Sequence, residues 1–321
     1  MRRWSLVSVT VWLAAFVAPG LAPVAAQDEA EPSAVPRTSW GAPDLTGVWD
    51  FRTATPLERP KDLDGEEFLT DKEASEFEES ALDRTYAAAR AAGATRAEFE
   101  LWADIGTEMT GDNRTSLIVD PPDGKIPPRT AAAQERFDTL GPLPFKRAAD
   151  DPEDRTLAER CIMWTPTPVR PVYSNNNLQV FQTPDYVAIY HEMIHDVRII
   201  PLDGRAHLDE RIRQWRGDSR GRWEGETLVV ETTNFTDQTT FFGSDPNMRL
   251  VERFTRVDAD TLSYEYTIDD PESFARPWTV VLPMRRSEGP VYEYACHEGN
   301  RSMTMILEIA RAEQRAEAER D

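Results

Sequence analysis

Histidine, cysteine and positive charge are all scarce in this chain of 321 residues. Four histidines leave little material for a metal centre, and two cysteines allow at most one disulfide within the chain. Lys and Arg number 36 against 57 Asp and Glu, which gives a net charge of −21. A field of that sign repels nucleic acids and anionic membranes, so we expect neither as a partner.

Several recognisable motifs are also missing. The sequence has no Gly-rich phosphate loop, dinucleotide fingerprint, Gly-x-Ser-x-Gly elbow or calcium loop. After the N-terminal region, no stretch approaches the roughly 18 apolar residues of a membrane-spanning helix. We therefore expect no bound cofactor, no bound metal and no membrane insertion of the mature chain.

The N-terminal residues 1–26 have the three parts of an export signal. Arg2 and Arg3 form the charged end, residues 5–21 are apolar, and residues 24–26 end in the small-residue pattern of a cleavage site. Cleavage removes two arginines and no acid, so the net charge becomes −23. The predicted location is therefore periplasmic or secreted, and the predicted partner is a small-molecule ligand.

The two cysteines are predicted to pair. Cys161 and Cys296 are far apart in sequence, and the compartment of an exported protein is oxidising. A disulfide would tie the middle of the chain to its last predicted strand. Two buried free thiols are the alternative.

The remainder is predicted to fold as one domain after a flexible lead-in. Residues 27–42 contain proline and glutamate but few bulky apolar side chains. A single globular domain is predicted over 43–321. It is divided into a helical and proline-rich part at 43–176, a β meander at 177–300 and a C-terminal helix at 301–321.

Two capping boxes predict helices in the first half of the domain. Residues 70–73 and 95–98 both read Thr-x-x-Glu, in which the two side chains satisfy free backbone N–H groups reciprocally. The first helix is predicted to run to about residue 92 and the second to about residue 109.

Short alternating runs separated by turn residues predict an antiparallel meander in the second half. Asp203-Gly204 is the strongest hairpin signal. The Gly47-Val-Trp49 stretch resembles the opening of lipocalin-like barrels. The predicted fold is mainly β with helical additions, closing as a lipocalin-like barrel or packing as a sandwich. The predicted strands are 178–182, 186–200, 213–216, 227–233, 249–258, 261–268, 277–286 and 291–296.

Residues 191–195 read His-Glu-Met-Ile-His, which on a helix is the zinc-peptidase motif. They lie within 186–200, a run rich in β-branched and aromatic residues, which predicts a strand. On a strand, His191 and His195 share one face while Glu192 points to the other. The apolar residues predicted to be buried on the histidine face are Val187, Ile189, Met193 and Val197.

The candidate catalytic residues are His195, Tyr294 and His297. A neutral imidazole has a pKa near working pH, so His195 is predicted to act as general acid or base, with Tyr294 and His297 as partners. Arg205 is predicted to orient an anionic group of the ligand. The other predicted ligand-binding residues are His191, His207 and Tyr292.

Six stretches of the sequence resemble a family of exported bacterial proteins to which no activity is assigned. The resemblance covers nearly all of the chain after the export signal. The family pattern includes residues 192–196 but not His191, which weighs against the peptidase motif. The six stretches are residues 55–60, 174–177, 192–196, 201–207, 217–223 and 292–300.

Three functional hypotheses remain open at the level of sequence. The first is an exported β-barrel that binds a small, partly apolar molecule, or transforms it by lyase, hydratase or isomerase chemistry. The second is a zinc hydrolase, which requires a helix over residues 184–199. The third is a non-enzymatic interaction protein of the cell envelope, which an interior packed with side chains would favour.

Overall fold

The protein is described from a computed structural model. It covers residues 35–91, 95–140, 149–164, 167–172, 174–239 and 241–320. The predicted export signal and the first part of the predicted lead-in lie outside these ranges. Within them, no helix combines the length and the apolar character needed to cross a membrane.

The described chain is mainly antiparallel β-sheet with helices. The strands are β1 Gly47–Asp50, β2 Ile118–Asp120, β3 Asn177–Gln182, β4 Tyr186–His191, β5 Asp196–Pro201, β6 Asp218–Glu224, β7 Thr227–Thr233, β8 Arg249–Arg256, β9 Thr261–Asp269 and β10 Trp278–Ser287. The helices are α1 Asp71–Glu79, α2 Ala81–Ala91, α3 Arg96–Trp102, α4 Ala131–Leu140 and α5 Ser302–Ala318. Single 3₁₀ turns lie at Lys61–Leu63, Pro152–Asp154 and Met193–His195.

One sheet contains all of these strands, in the order β5-β4-β3-β1-β10-β9-β8-β7-β6, with β2 paired to β10. The edge strands β5 and β6 come close together, since a Cβ atom on Gly221 would lie 2.8 Å from Cγ2 of Ile200. No strand pairing joins β5 to β6 among the described residues. The predicted closure into a barrel therefore does not occur.

The interior of the sheet is filled by large side chains. Burial alternates residue by residue along β8 and β9, as expected when one face of an antiparallel strand is covered. Trp49 of the Gly-x-Trp stretch is fully buried, and its Nε1 donates to the carbonyl oxygen of Leu45 at 2.9 Å. Other fully buried side chains of this core are Trp278, Tyr264, Tyr266, Phe235, Phe254 and Phe274.

The single strand predicted over residues 186–200 is in fact a hairpin. β4 and β5 are joined by the turn at Met193–His195, in which Ile194 has φ 60°. This left-handed conformation costs a β-branched residue about 1–2 kcal/mol.

The turn changes which residues face inward: odd-numbered residues do so before it, and even-numbered residues do so after it. Before it, Val187 and Ile189 are buried, as predicted. After it, Arg198 and Ile200 face inward, whereas Val197 is 48% exposed. The predicted burial of Val197 was therefore wrong, because an uninterrupted strand would have kept odd-numbered residues inside.

Three other strand predictions were also wrong. Asp203-Gly204 forms a local turn, in which Asp203 Oδ1 accepts from the backbone N–H of Arg205 at 3.2 Å, but it does not join paired strands. Residues 213–216 make only an isolated bridge. Residues 291–296 do not form a strand, and the preceding strand β10 already has β9 on one side and β1 and β2 on the other. The sequence also missed β6.

The two N-terminal helices begin where the sequence predicts but end earlier than predicted. Thr70 and Glu73 form the predicted capping box, with the Thr70 N–H donating to Glu73 Oε2 at 2.9 Å. The first predicted helix breaks at Ser80 into α1 and α2. The second ends at Trp102, before Gly106, where a Cβ atom would meet the Thr53 nitrogen at 2.1 Å. The closing helix predicted at 301–321 is confirmed by α5.

Cys161 and Cys296 are joined by a disulfide, as predicted. The bond ties the connector between α4 and β3 to the irregular segment before α5, and not to a strand. The side-chain amide of Asn300 lies 3.5 Å from Cys161 Sγ.

Removing this disulfide should destabilise the protein. The bond spans 135 positions, so in the chain-entropy model it contributes up to about 5 kcal/mol. We expect the Cys161→Ser/Cys296→Ser variant to unfold at lower urea concentration than the oxidised protein. Reduced wild-type protein should match the variant. Equal midpoints for the oxidised protein and the variant would contradict the prediction.

Candidate functional site

A small chamber lies where β4 ends, and we call it the end chamber. Its volume is about 20 Å³. That is enough for about one water molecule. Its apolar lining is Phe51, Trp164, Val169, Val172 and Met193, and its polar lining is Arg170, Asn175, His191 and Arg216.

A buried ion pair crosses the interior beside this chamber. Arg198 on β5 donates from Nη1 and Nη2 to Glu252 on β8 at 2.6 and 3.0 Å. Their side chains are only 5% and 1% exposed. The hydroxyl of Tyr264 donates to the same carboxylate at 2.7 Å. Burial works to lower the pKa of Arg198, but the adjacent Glu252 raises it overall, so Arg198 keeps its positive charge.

Arg216 forms a second pair with Asp196, the first residue of β5. Burial lowers the pKa of Arg216, Asp196 acts in the opposite direction, and the like charge of Arg198 lowers it further. The two guanidinium groups therefore lie close enough to repel each other. Arg216 thus brings a second cation to the wall of the end chamber.

His191 is the polar residue at the end of β4. Burial lowers its pKa well below 6.5, and the charges of Arg216 and Arg198 add to that effect. The ring is therefore neutral at physiological pH, with one nitrogen able to donate and the other able to accept.

Two polar atoms of the paired arginines and two of the aromatic core are buried without a hydrogen-bond partner in the described part of the chain. An unsatisfied buried polar group costs about 1–3 kcal/mol, so four in one interior need a reason. These atoms are Arg198 Nε, Arg216 Nη1, Tyr266 Oη and Trp278 Nε1.

A second cavity of about 250 Å³ lies between β1, the loop at 105–111 and β10. Its charged side chains compensate one another, since Arg52 pairs with Asp50 and Asp104, and Arg285 pairs with Glu108. Nothing in that lining indicates the chemistry of a ligand.

The three predicted catalytic residues are not on strands that share a wall. His195 ends the turn between β4 and β5, and its side chain lies outside the described part of the structure. Tyr294 and His297 lie in the irregular segment before α5, on either side of Cys296. Tyr294 is half-buried and His297 is exposed.

Of the predicted ligand-binding residues, only His191 lines the end chamber. Arg205 is exposed and pairs with Asp203. His207 Nδ1 lies 3.0 Å from Asp218 Oδ2. Tyr292 is 74% exposed.

The helix that a zinc site at residues 191–195 requires is not formed. The Asn177 amide donates to Glu192 Oε2 at 2.8 Å. Searched over the described ranges, the structure contains no group of three or more His, Cys, Asp or Glu side chains placed to hold a metal ion. The structural premise of the zinc-hydrolase hypothesis is therefore wrong.

Sequence reasoning missed the charged pairs. Glu252 offered a signal, because it interrupts the apolar inward phase of β8 between Leu250 and Phe254. Arg198 offered none, because its inward position depends on the phase shift at residues 192–195.

Breaking the Arg198–Glu252 pair should strongly destabilise the fold. Arg198→Met or Glu252→Leu leaves one charge buried alone, at a cost of about 3–5 kcal/mol. The double variant should be more stable than either single variant, because neither charge remains. Urea unfolding measures these differences.

The matched surface control is the exposed pair Arg249–Glu231. The corresponding Met and Leu substitutions there should change stability by less than about 1 kcal/mol. Single core variants as stable as the wild type would contradict the prediction.

His191 should make stability fall as pH falls. Its folded-state pKa is lowered, so below the unfolded value of 6.5 the unfolded chain binds a proton that the folded protein excludes. Above pH 6.5 His191 therefore has no effect on the pH dependence of the free energy of unfolding. Below pH 6.5 this free energy declines, by at most about 1.4 kcal/mol per pH unit. Wild type should lose more stability than His191→Gln between about pH 7 and 5. Identical slopes in urea unfolding would refute this.

No family model matches the chain, and no curated protein matches it. Among solved structures, the chain is similar to a point mutant of the fluorescent protein UnaG, with 16% sequence identity and a TM-score of 0.24. The match covers 35% of this chain and 72% of that one. A likeness of this size carries no argument about fold or ligand.

Proposed function

We propose that the protein binds a small, partly apolar molecule in the end chamber. The observation that carries the proposal is Arg216, which lines the chamber beside apolar side chains and whose Nη1 is buried without a hydrogen-bond partner. A bound molecule with its own polar groups would satisfy such atoms, and binding sites commonly combine an apolar wall with a few polar groups.

The packed interior limits where the ligand lies. Trp49, Trp278 and their neighbours are fully buried and fill the core, so we place the ligand in the end chamber and not in the core. A packed interior alone would favour the interaction-protein hypothesis. The unpartnered donors favour ligand binding, because a purely structural core gains nothing from leaving them unsatisfied.

The chamber must widen to admit a ligand. Its 20 Å³ holds about one water molecule, so Trp164 and Met193 have to move aside. Met193 belongs to the turn that holds Ile194 in a left-handed conformation. Strain of this kind clusters at binding and switch regions.

The test is a fluorescence titration with N-phenyl-1-naphthylamine, a small neutral apolar dye. Wild-type protein should bind it saturably at one site. Val172→Phe places a ring in the chamber and should weaken binding at least tenfold. The matched control is Val257→Phe, because Val257 is 54% exposed and lies at the end of β8 away from the chamber lining.

The two Val→Phe variants should have circular dichroism spectra like that of the wild type. If Val172→Phe does not fold, hydrogen exchange of the wild-type protein serves as the readout. The dye should then slow the exchange of backbone amides in residues 167–172. Absence of saturable binding, or equal binding by the two variants, would overturn the proposal.

The sequence-derived candidates His195 and Tyr294 are tested in the same titration. We propose that His195→Ala and Tyr294→Phe fold normally and lose dye binding. If both variants bind as the wild type does, these two residues are not part of the binding site.

A further inference from the structure

We infer that the ligand of the end chamber carries an anionic group, a carboxylate or its like, which binds among Arg216, Arg198 and His191. This inference rests on the proposed function and names the class of molecule that the site takes.

The chemistry of the unsatisfied atoms points to an acceptor. Arg198 Nε, Arg216 Nη1 and Trp278 Nε1 can only donate, and the Tyr266 hydroxyl can also donate. A carboxylate has only acceptor sites and takes several N–H donors at once. A ligand alcohol or amide would bring further donors into a site that already has too many.

The arrangement of charge points the same way. Two guanidinium groups, Arg170 and Arg216, line the chamber, and its lining among the described residues contains no carboxylate. The Tyr266 hydroxyl lies within reach of the charge of Arg170, which acts to lower its pKa against the larger effect of burial. Charge-assisted hydrogen bonds of guanidinium to carboxylate are among the stronger contacts in proteins.

Neutral His191 completes the cluster. It lies beside both arginines at the chamber wall and has no charge of its own to compensate. An N–H donated by this ring adds to the guanidinium donors.

The apolar lining fixes the remainder of the ligand. Phe51, Trp164 and Val169 line the same chamber as its charged groups, so the anionic group should be attached to a hydrocarbon or aromatic body. Inorganic anions lack that body and should bind weakly. The class is therefore a small monoanion with an apolar body.

The experiment compares three compounds of equal chain length, octanoate, octanamide and octylamine, as competitors of the dye. Octanoate should displace the dye about 10- to 100-fold more effectively than octanamide, and octylamine least of all. Acetate is included to separate the anionic group from the apolar body, and it should compete poorly.

Failure of the inference and failure of the proposed function give different results. If the dye binds and octanamide competes as well as octanoate, the chamber binds ligands but does not select anions. If neither the dye nor octanoate binds, by fluorescence or by calorimetry, both proposals are overturned.

Two variants locate the anionic group. Arg216→Gln should weaken octanoate at least tenfold and octanamide less than threefold. Arg249→Gln is the matched control, because Arg249 is also paired with a carboxylate, Glu231, but is 48% exposed on the surface. It should leave both affinities unchanged, and equal losses of octanoate in the two variants would overturn the assignment.

A second readout does not depend on the variants folding. In wild-type protein, the chemical shift of octanoate labelled with ¹³C at its carboxyl carbon reports the ionisation of the bound carboxyl group. The pKa of that group should be lower than in free octanoate. That shift of its pKa is expected beside guanidinium groups. A bound carboxyl group that titrates at or above its free value would show that the anion lies elsewhere.

Discussion

Two buried ion pairs link edge strand β5 to the other side of the sheet, although no ladder of backbone hydrogen bonds joins the two edges among the described residues. Arg198 on β5 pairs with Glu252 on β8, and Asp196 on the same strand pairs with Arg216, just before the opposite edge strand β6. Gly221 allows the edges to approach because it has no side chain there. Since buried charges are tolerated only in complete pairs, the ion pairs favour one arrangement of the approaching edges.

The same pairs give an otherwise apolar interior its polar end. Trp278 and the other aromatic residues fill the middle, whereas the guanidinium groups, His191 and the Tyr264 hydroxyl gather toward the end of β4. The charged residues that link β5 to the other side of the sheet thus also make this end of the interior polar. Under the proposed function, binding and the approach of the two edges would be energetically linked, because a ligand at Arg216 would compete with Asp196 for the same guanidinium.

Much of the sheet could be predicted from the alternation of apolar residues, because burial follows a period of two along β8, β9 and most of β10. The capping box at residues 70–73 and the disulfide could also be predicted, since they depend on local chemistry and on the compartment. The turn at residues 192–195 could not, because Ile194 gives no turn signal. That one error hid Arg198, and with it the charged part of the candidate site.

The turn at Ile194 also makes chain length a determinant of the site. Deleting one residue between His191 and Asp196 would reverse the inward phase of β5, so that Val197 would take the inward position of Arg198. Glu252 would then remain buried without its partner. Residues 203–217 form no strand, so added residues there would leave the phase of β5 unchanged. The inward phase of β5 therefore constrains the number of residues in the turn at 192–195 but not in the segment 203–217.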